Sequence, residues 1–251
     1  LKQLKWAFYR VNPHMLQEVF TIVAPVFTIA ALGFIWHRRQ QPFHTDTIGS
    51  LVMYIGSPCL IYSSLTSNSP SLTTLAQTAS IAAFVIICST AFAFAFLRVT
   101  GWSYRTYVPA LVLPNGGNMG LPICLLAFGE TGLALGMAYF FVNSISQYTL
   151  GMAISSGEFH LKQLLKQPVI WAVLLVLGVL ATEFKMPQWI DSTATILGGL
   201  TIPAMLLMLG TSLANLNLSA LRETFTVAST RLLLGLGLGV LAIWLFELEG
   251  I

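Results

Sequence analysis

Apolar stretches of about twenty residues recur along this chain, each bounded by a few polar ones. A helix of that length covers the roughly 30 Å of hydrocarbon in a bilayer. Water is absent there, so backbone N–H and C=O groups must be paired inside each segment, which selects helices or closed barrels. Eight spans emerge, at approximately Leu16–Trp36, Ile48–Leu65, Leu75–Leu97, Tyr104–Phe128, Gly132–Ser155, Pro168–Phe184, Ile190–Leu213 and Ala228–Phe246. Period-2 strands are not the pattern, so the expected class is an all-α polytopic membrane protein.

Composition agrees, since 56% of residues are hydrophobic and only 8% are charged. That leaves too little polar surface to coat a water-soluble globule. The net charge of +3 is too small to argue for a nucleic-acid partner. Cys59, Cys88 and Cys124 fall inside apolar stretches and read as small buried hydrophobes rather than a disulfide framework. Residues 1–14 precede Met15, where MLQEVFTIVAPVF reads as a natural start, so the leader is given little weight.

Loop charges set an expected orientation. Arg38 and Arg39, Arg98 and Arg105, Lys162 and Lys166, and Arg222 and Arg231 fall at one membrane face. The loops TSNSPS, FGETG and EFKMPQWID fall at the other, with Lys185 as their one basic residue. The N-terminus is therefore expected outside and the basic loops in the cytoplasm. That places the Asn217-Leu-Ser219 sequon inside, where it goes unused.

Two spans look alike. SLVMYIGSPCLIYSSL around Pro58 and TILGGLTIPAMLLMLG around Pro203 each place small residues before a central proline. The second and seventh spans are offset by an odd number of crossings, so the later unit is inverted relative to the earlier. Inverted repeats with interrupted helices point toward secondary transporters. Pro58, Pro203 and Pro114 are taken as helix-breaking positions.

The fourth span is the least helix-like, because it contains LPNGGNMGLP at 113–122. Pro114 supplies no N–H, and Gly116 and Gly117 add backbone freedom. Freed peptide groups persist at membrane depth only where they are buried in protein or line a wet cavity. A second half-helix is expected to start near Asn118, its unpaired N–H groups suited to an anion. Asn115 and Asn118 add side-chain amides. Close helix packing explains a GxxxG pair such as Gly116/Gly120 but not asparagines beside a proline; Gly132/Gly136 and Gly235/Gly239 are read as packing.

Asn143, Ser144, Ser146 and Gln147 form a polar cluster in the fifth span, with Asn143 and Gln147 on one helical face. Two readings stand level: these groups face the interruption and hold substrate or cation, or they only bond between helices. Every Asp and Glu falls at a span end or in a loop, so no mid-membrane proton relay is expected. Arg231 is read as snorkelling from the start of the eighth span. No metal cluster, catalytic triad or cofactor motif emerges, and GLGLG at 235–239 follows no strand, so no enzymatic chemistry, metal or cofactor is expected.

Residues 111–151, LVLPNGGNMGLPICLLAFGETGLALGMAYFFVNSISQYTLG, resemble the auxin efflux carrier family, which includes bacterial malate and malonate permeases. APVFTIAALGFIWHRR and LTIPAMLLMLGTSLA resemble it too. The resemblance implies ten helices in two inverted five-helix repeats, with broken fourth and ninth helices crossing near the bilayer centre. It places Asn115, Gly116, Gly117 and Asn118 at the first crossing, beside a small organic anion, and the spans around Pro58 and Pro203 in the scaffold. The chain ends at FELEGI after its eighth span, so the second repeat is incomplete and truncation is expected. The expected organisation is a leader at 1–14, a first repeat at 15–155, a cytoplasmic loop at 156–167 and three helices of the second repeat at 168–251.

The expected function is a permease or efflux carrier for small organic anions such as dicarboxylates, working by alternating access in the inner (plasma) membrane. Its expected partners are that anion and the lipid bilayer; the oligomeric state, homo-oligomer included, is left open. The alternatives are sodium-coupled symport using Asn143 and Gln147, a ligand-sensing membrane module, and an inactive fragment.

Overall fold

The computed structural model describes residues 13–68, 70–157, 161–182, 184–216 and 221–248. The leader up to residue 12, Glu158, His160, Glu183, the 217–219 sequon and Glu249 lie outside the described residues. Among the described residues all regular structure is helical: α1 Pro13–Arg38, α2 Thr45–Leu51, α3 Ser57–Asn68, α4 Leu72–Thr100, α5 Tyr104–Val112, α6 Leu121–Ser146, α7 Met152–Ser156, α8 Leu161–Leu165, α9 Pro168–Thr182, α10 Gln188–Ala214 and α11 Leu221–Leu245. Wide π-helical turns at Val52–Gly56, Gly116–Gly120 and Gln147–Gly151 join several of them.

Among the described residues, six helical stretches are long and apolar enough to cross a membrane. One of them, Tyr104–Ser156, runs for 53 residues and folds back on itself. The fold lies at Gly129, whose φ of 64° and ψ of −157° suit a residue without Cβ. The two arms then run antiparallel: Gly136 packs on Cys124, Asn143 bonds to Pro114, and Gly151 faces Leu113. The stretch therefore contains both the fourth and fifth expected spans. α9, at 15 residues, is shorter than the expected Pro168–Phe184.

Local chemistry explains several boundaries. Ser71 caps α4 by accepting from the Thr74 N–H at 3.1 Å. Gly101 ends it in the left-handed region at φ 72°, its N–H bonded to the Leu97 carbonyl at 2.9 Å. The loops at both ends of this long helix are consequently short.

α10 packs along both α1 and α3. Gly49 meets Met208, Gly56 meets Thr201, and Leu60 meets Gly198, so the α2–α3 stretch and α10 run antiparallel. Ile61, Leu65, Leu75, Leu133, Met137 and Val176 form the central apolar cluster. Large apolar side chains such as Phe20, Ile87, Trp171, Phe225, Leu233 and Trp244 point outward, which lipid accommodates and water would not.

Three expectations are corrected. Pro203 lies inside an uninterrupted α10, and Pro58 follows a π turn that carries the helix through it, with the Ser57 N–H reaching the Val52 carbonyl. A membrane helix absorbs a proline when wider turns or neighbours take up the freed groups. α11 begins at Leu221, seven positions before the expected Ala228, because Arg222, Glu223 and two threonines depress hydropathy without opposing a helix. Finally, Gly132 and Gly136 are closely packed, whereas among the described residues nothing outside their own stretch of helix lies within 4 Å of the Cβ positions of Gly235 and Gly239.

Candidate functional site

The helix that begins at Tyr104 stops at Val112. Leu113 is extended, with φ −93° and ψ 108°, and Asn115 takes φ −74° and ψ 62° before helical geometry resumes at Gly116. The physical cause is Pro114: its nitrogen has no hydrogen to give the Ala110 carbonyl four residues earlier. The next half begins two residues earlier than the expected Asn118. Its first bonds run from the Met119 and Gly120 N–H groups to the Asn115 carbonyl, at 3.3 and 3.2 Å. The N–H groups of Gly116, Gly117 and Asn118 precede those bonds, as at any helix start.

Asn143 braces the interruption from the opposite arm. Its side chain is 2% exposed, and Nδ2 donates to the Pro114 carbonyl at 3.3 Å. Oδ1 has no hydrogen-bond partner among the described residues. Gly116 lies against Asn143 and Phe140, while Gly117 lies against Phe140 and Met205 of α10. Glycine is needed here because a Cβ at 117 would stand 3.2 Å from the Phe140 ring.

A cavity of about 480 Å³ opens beside the break, lined by Leu113, Pro114, Asn115, Gln147, Ser155 and Arg231 among others. It brings Asn115 and Gln147 together. Asn143 is packed beneath the break, and Asn118 is half-buried without lining this cavity. Pro58 and Pro203 stand apart from it.

Arg231 is the residue that sequence reasoning misplaced. It lies ten positions inside α11 rather than at a helix start. Its Nη1 donates to the Ala110 carbonyl at 3.0 Å and its Nη2 to the Leu113 carbonyl at 2.8 Å. Both acceptors belong to the interrupted end of α5. A charge within a span that bonds to backbone carbonyls and faces a cavity is not snorkelling. The signal was the arginine's position in VASTRLLLG, once the polar residues before it are counted as helix.

Apolar spans around an interrupted helix, with a polar cavity at the break, define a polytopic helical membrane protein. The chain belongs to the family described as membrane transport protein, the auxin-efflux-carrier-like family, whose profile matches residues 18–158 and 152–251. No curated protein and no solved structure matches the chain. The family is one of secondary membrane transporters and not of enzymes. The chain is thus a multi-pass membrane protein that sits in a bilayer and serves transport of a small solute.

Proposed function

We propose that this chain carries small organic anions, dicarboxylates among them, by alternating access about the interruption at 113–115. The observation that carries the reading is the chemistry of the cavity at the break. Its lining includes the Asn115 and Gln147 amides and the Arg231 guanidinium and, among the described residues, no carboxylate. Amides and a guanidinium donate hydrogen bonds to an anion, and a helix start nearby adds a favourable dipole. Asn115 faces the substrate, Gly116, Gly117 and Asn118 form the helix start behind it, and Asn143 holds the turn in place. Antiparallel packing of α3 on α10 supports two inverted units, residues 15–155 and 168–251. The basic loops favour an N-terminus outside the inner membrane.

Vesicles reconstituted with the protein provide the test. Asn115→Ala is expected to abolish carboxylate uptake while protein levels stay unchanged. Undiminished flux through the variant rejects the assignment. A second reading, sodium-coupled symport, is favoured by the unpartnered Oδ1 of Asn143, an oxygen suited to a cation. Flux that is independent of sodium removes it.

A further inference from the structure

We propose that Arg231 selects negative charge in this carrier, and does so by exchange: a carboxylate draws the guanidinium off the carbonyls of Ala110 and Leu113. The proposal rests on the organic-anion reading above and adds the residue and the switch.

The argument begins with the Ala110 carbonyl. Pro114 leaves it without its ordinary helical donor, and Arg231 supplies that bond from a distant helix, 121 positions along the chain. Leu113, extended at the end of α5, offers the second acceptor. The guanidinium thereby joins α11 to the first half of the broken span. Two of its N–H groups are used, and a guanidinium has more to offer.

Among the described residues, no carboxylate lines the 480 Å³ cavity. Glu223 lines an adjoining cavity of about 960 Å³ that also contains Arg231. It precedes Arg231 by eight positions on the same helix, roughly 12 Å along the axis and beyond ion-pair reach. Arg231 therefore holds its charge against neutral carbonyl oxygens. A carboxylate adds an attraction between full charges that a carbonyl oxygen lacks, and the planar fork fits it bidentately. Surrounding protein and lipid of low dielectric strengthen that preference. A carboxylate entering beside Asn115 is thus the better partner. Taking it frees the two carbonyls and loosens the tie between α11 and α5, the kind of local event that alternating access requires.

The test uses purified protein as wild type, Arg231→Gln and Arg231→Lys. Thermal unfolding is measured against acetate, malonate, succinate and benzoate, each beside its neutral amide. Wild type is expected to be stabilised by at least one carboxylate and by no amide. Arg231→Gln is expected to weaken that response roughly thirtyfold or more, as for loss of one member of a buried charge pair. Arg231→Lys, which keeps charge but loses the fork, is expected to fall between. Hydrogen exchange over residues 104–113 is expected to rise when the carboxylate binds wild type, and to be already high and unresponsive in Arg231→Gln. A Gln variant that is less stable yet responds at the same anion concentration overturns the proposal and leaves the anion reading intact. Increased protection of 104–113 on binding overturns the exchange. A wild type that responds to none of the four carboxylates overturns both. Should the Gln variant not fold, the Lys variant and wild-type exchange still decide.

Discussion

Thr201 occupies the space that a side chain at Gly56 would need: its Oγ1 lies 2.5 Å from the Cβ position of Gly56. Gly56 stands two residues before Pro58, and Thr201 two residues before Pro203. The two proline-containing helices therefore meet at equivalent points while running in opposite directions. Thr201 is fully buried, and its hydroxyl has no hydrogen-bond partner. Gly56→Ala is expected to destabilise by about 1–3 kcal/mol, the usual range for overpacking. Thr201→Ala removes the obstructing oxygen, so the double variant is expected to recover most of that loss. Thermal unfolding of the four proteins measures the non-additivity, and strictly additive losses disprove the contact.

A tighter constraint lies where α1 crosses α10. The Leu207 carbonyl stands at the Cβ position of Gly33, and the Ala30 carbonyl at that of Gly210. Backbone cannot yield as a flexible side chain does, so the helices must separate. Gly33→Ala and Gly210→Ala are each expected to cost about 3 kcal/mol or more, above ordinary overpacking. Gly237→Ala is the control, since no heavy atom lies within 4 Å of its Cβ position. It is expected to be neutral or to stabilise by up to about 1 kcal/mol through helix propensity. Folded yield and unfolding temperature compare the three.

Span positions were legible because hydropathy sums over many residues, and one polar side chain hardly moves the average. The break at Pro114 was legible for a different reason, since Gly116, Gly117 and two asparagines reinforced the proline locally. Pro58 and Pro203 have small residues before the proline but no asparagine beside it, and neither breaks its helix. At Pro58 a π turn passes the helix through, while at Pro203 α10 continues unchanged. The place of Arg231 inside a span was legible in VASTRLLLG, but its partners were not. An unmet carbonyl at Ala110 follows from Pro114, but nothing near it in sequence names the donor. The three-dimensional fold supplies it from another helix.

Asn143 offers a direct probe of how the interruption is held. Its amide is the donor to the Pro114 carbonyl, and the residue is buried. Asn143→Ala is expected to lose about 1–3 kcal/mol, because the carbonyl is left without its donor. Asn143→Asp keeps the size but turns an oxygen toward that carbonyl, so it is expected to be worse than alanine when ionised. Hydrogen exchange of the N–H groups at residues 115–120 in detergent, together with unfolding temperature, tests the order. Equal stability of wild type and both variants would remove Asn143 as a brace.

At the far end of the α3–α10 pair, the Tyr62 hydroxyl donates to Asp191 Oδ1 at 2.5 Å. Both residues line a cavity of about 590 Å³ that also includes Ser71 and Lys185. This bond spans 129 positions and links the middle of α3 to the start of α10. Asp191 is exposed, so solvent screens the contact and its worth is expected to be about 1 kcal/mol rather than the larger value of a buried charged pair. Asn at 191 retains an acceptor oxygen, so Asp191→Asn is expected to lose less than Asp191→Ala. Tyr62→Phe removes only the donor and is expected to match the loss in Asp191→Ala. Combining Tyr62→Phe with Asp191→Ala then adds little further, since both act on one bond. A full double-mutant cycle on unfolding temperature reads this coupling, and a coupling of zero removes the bond from the forces joining the two helices.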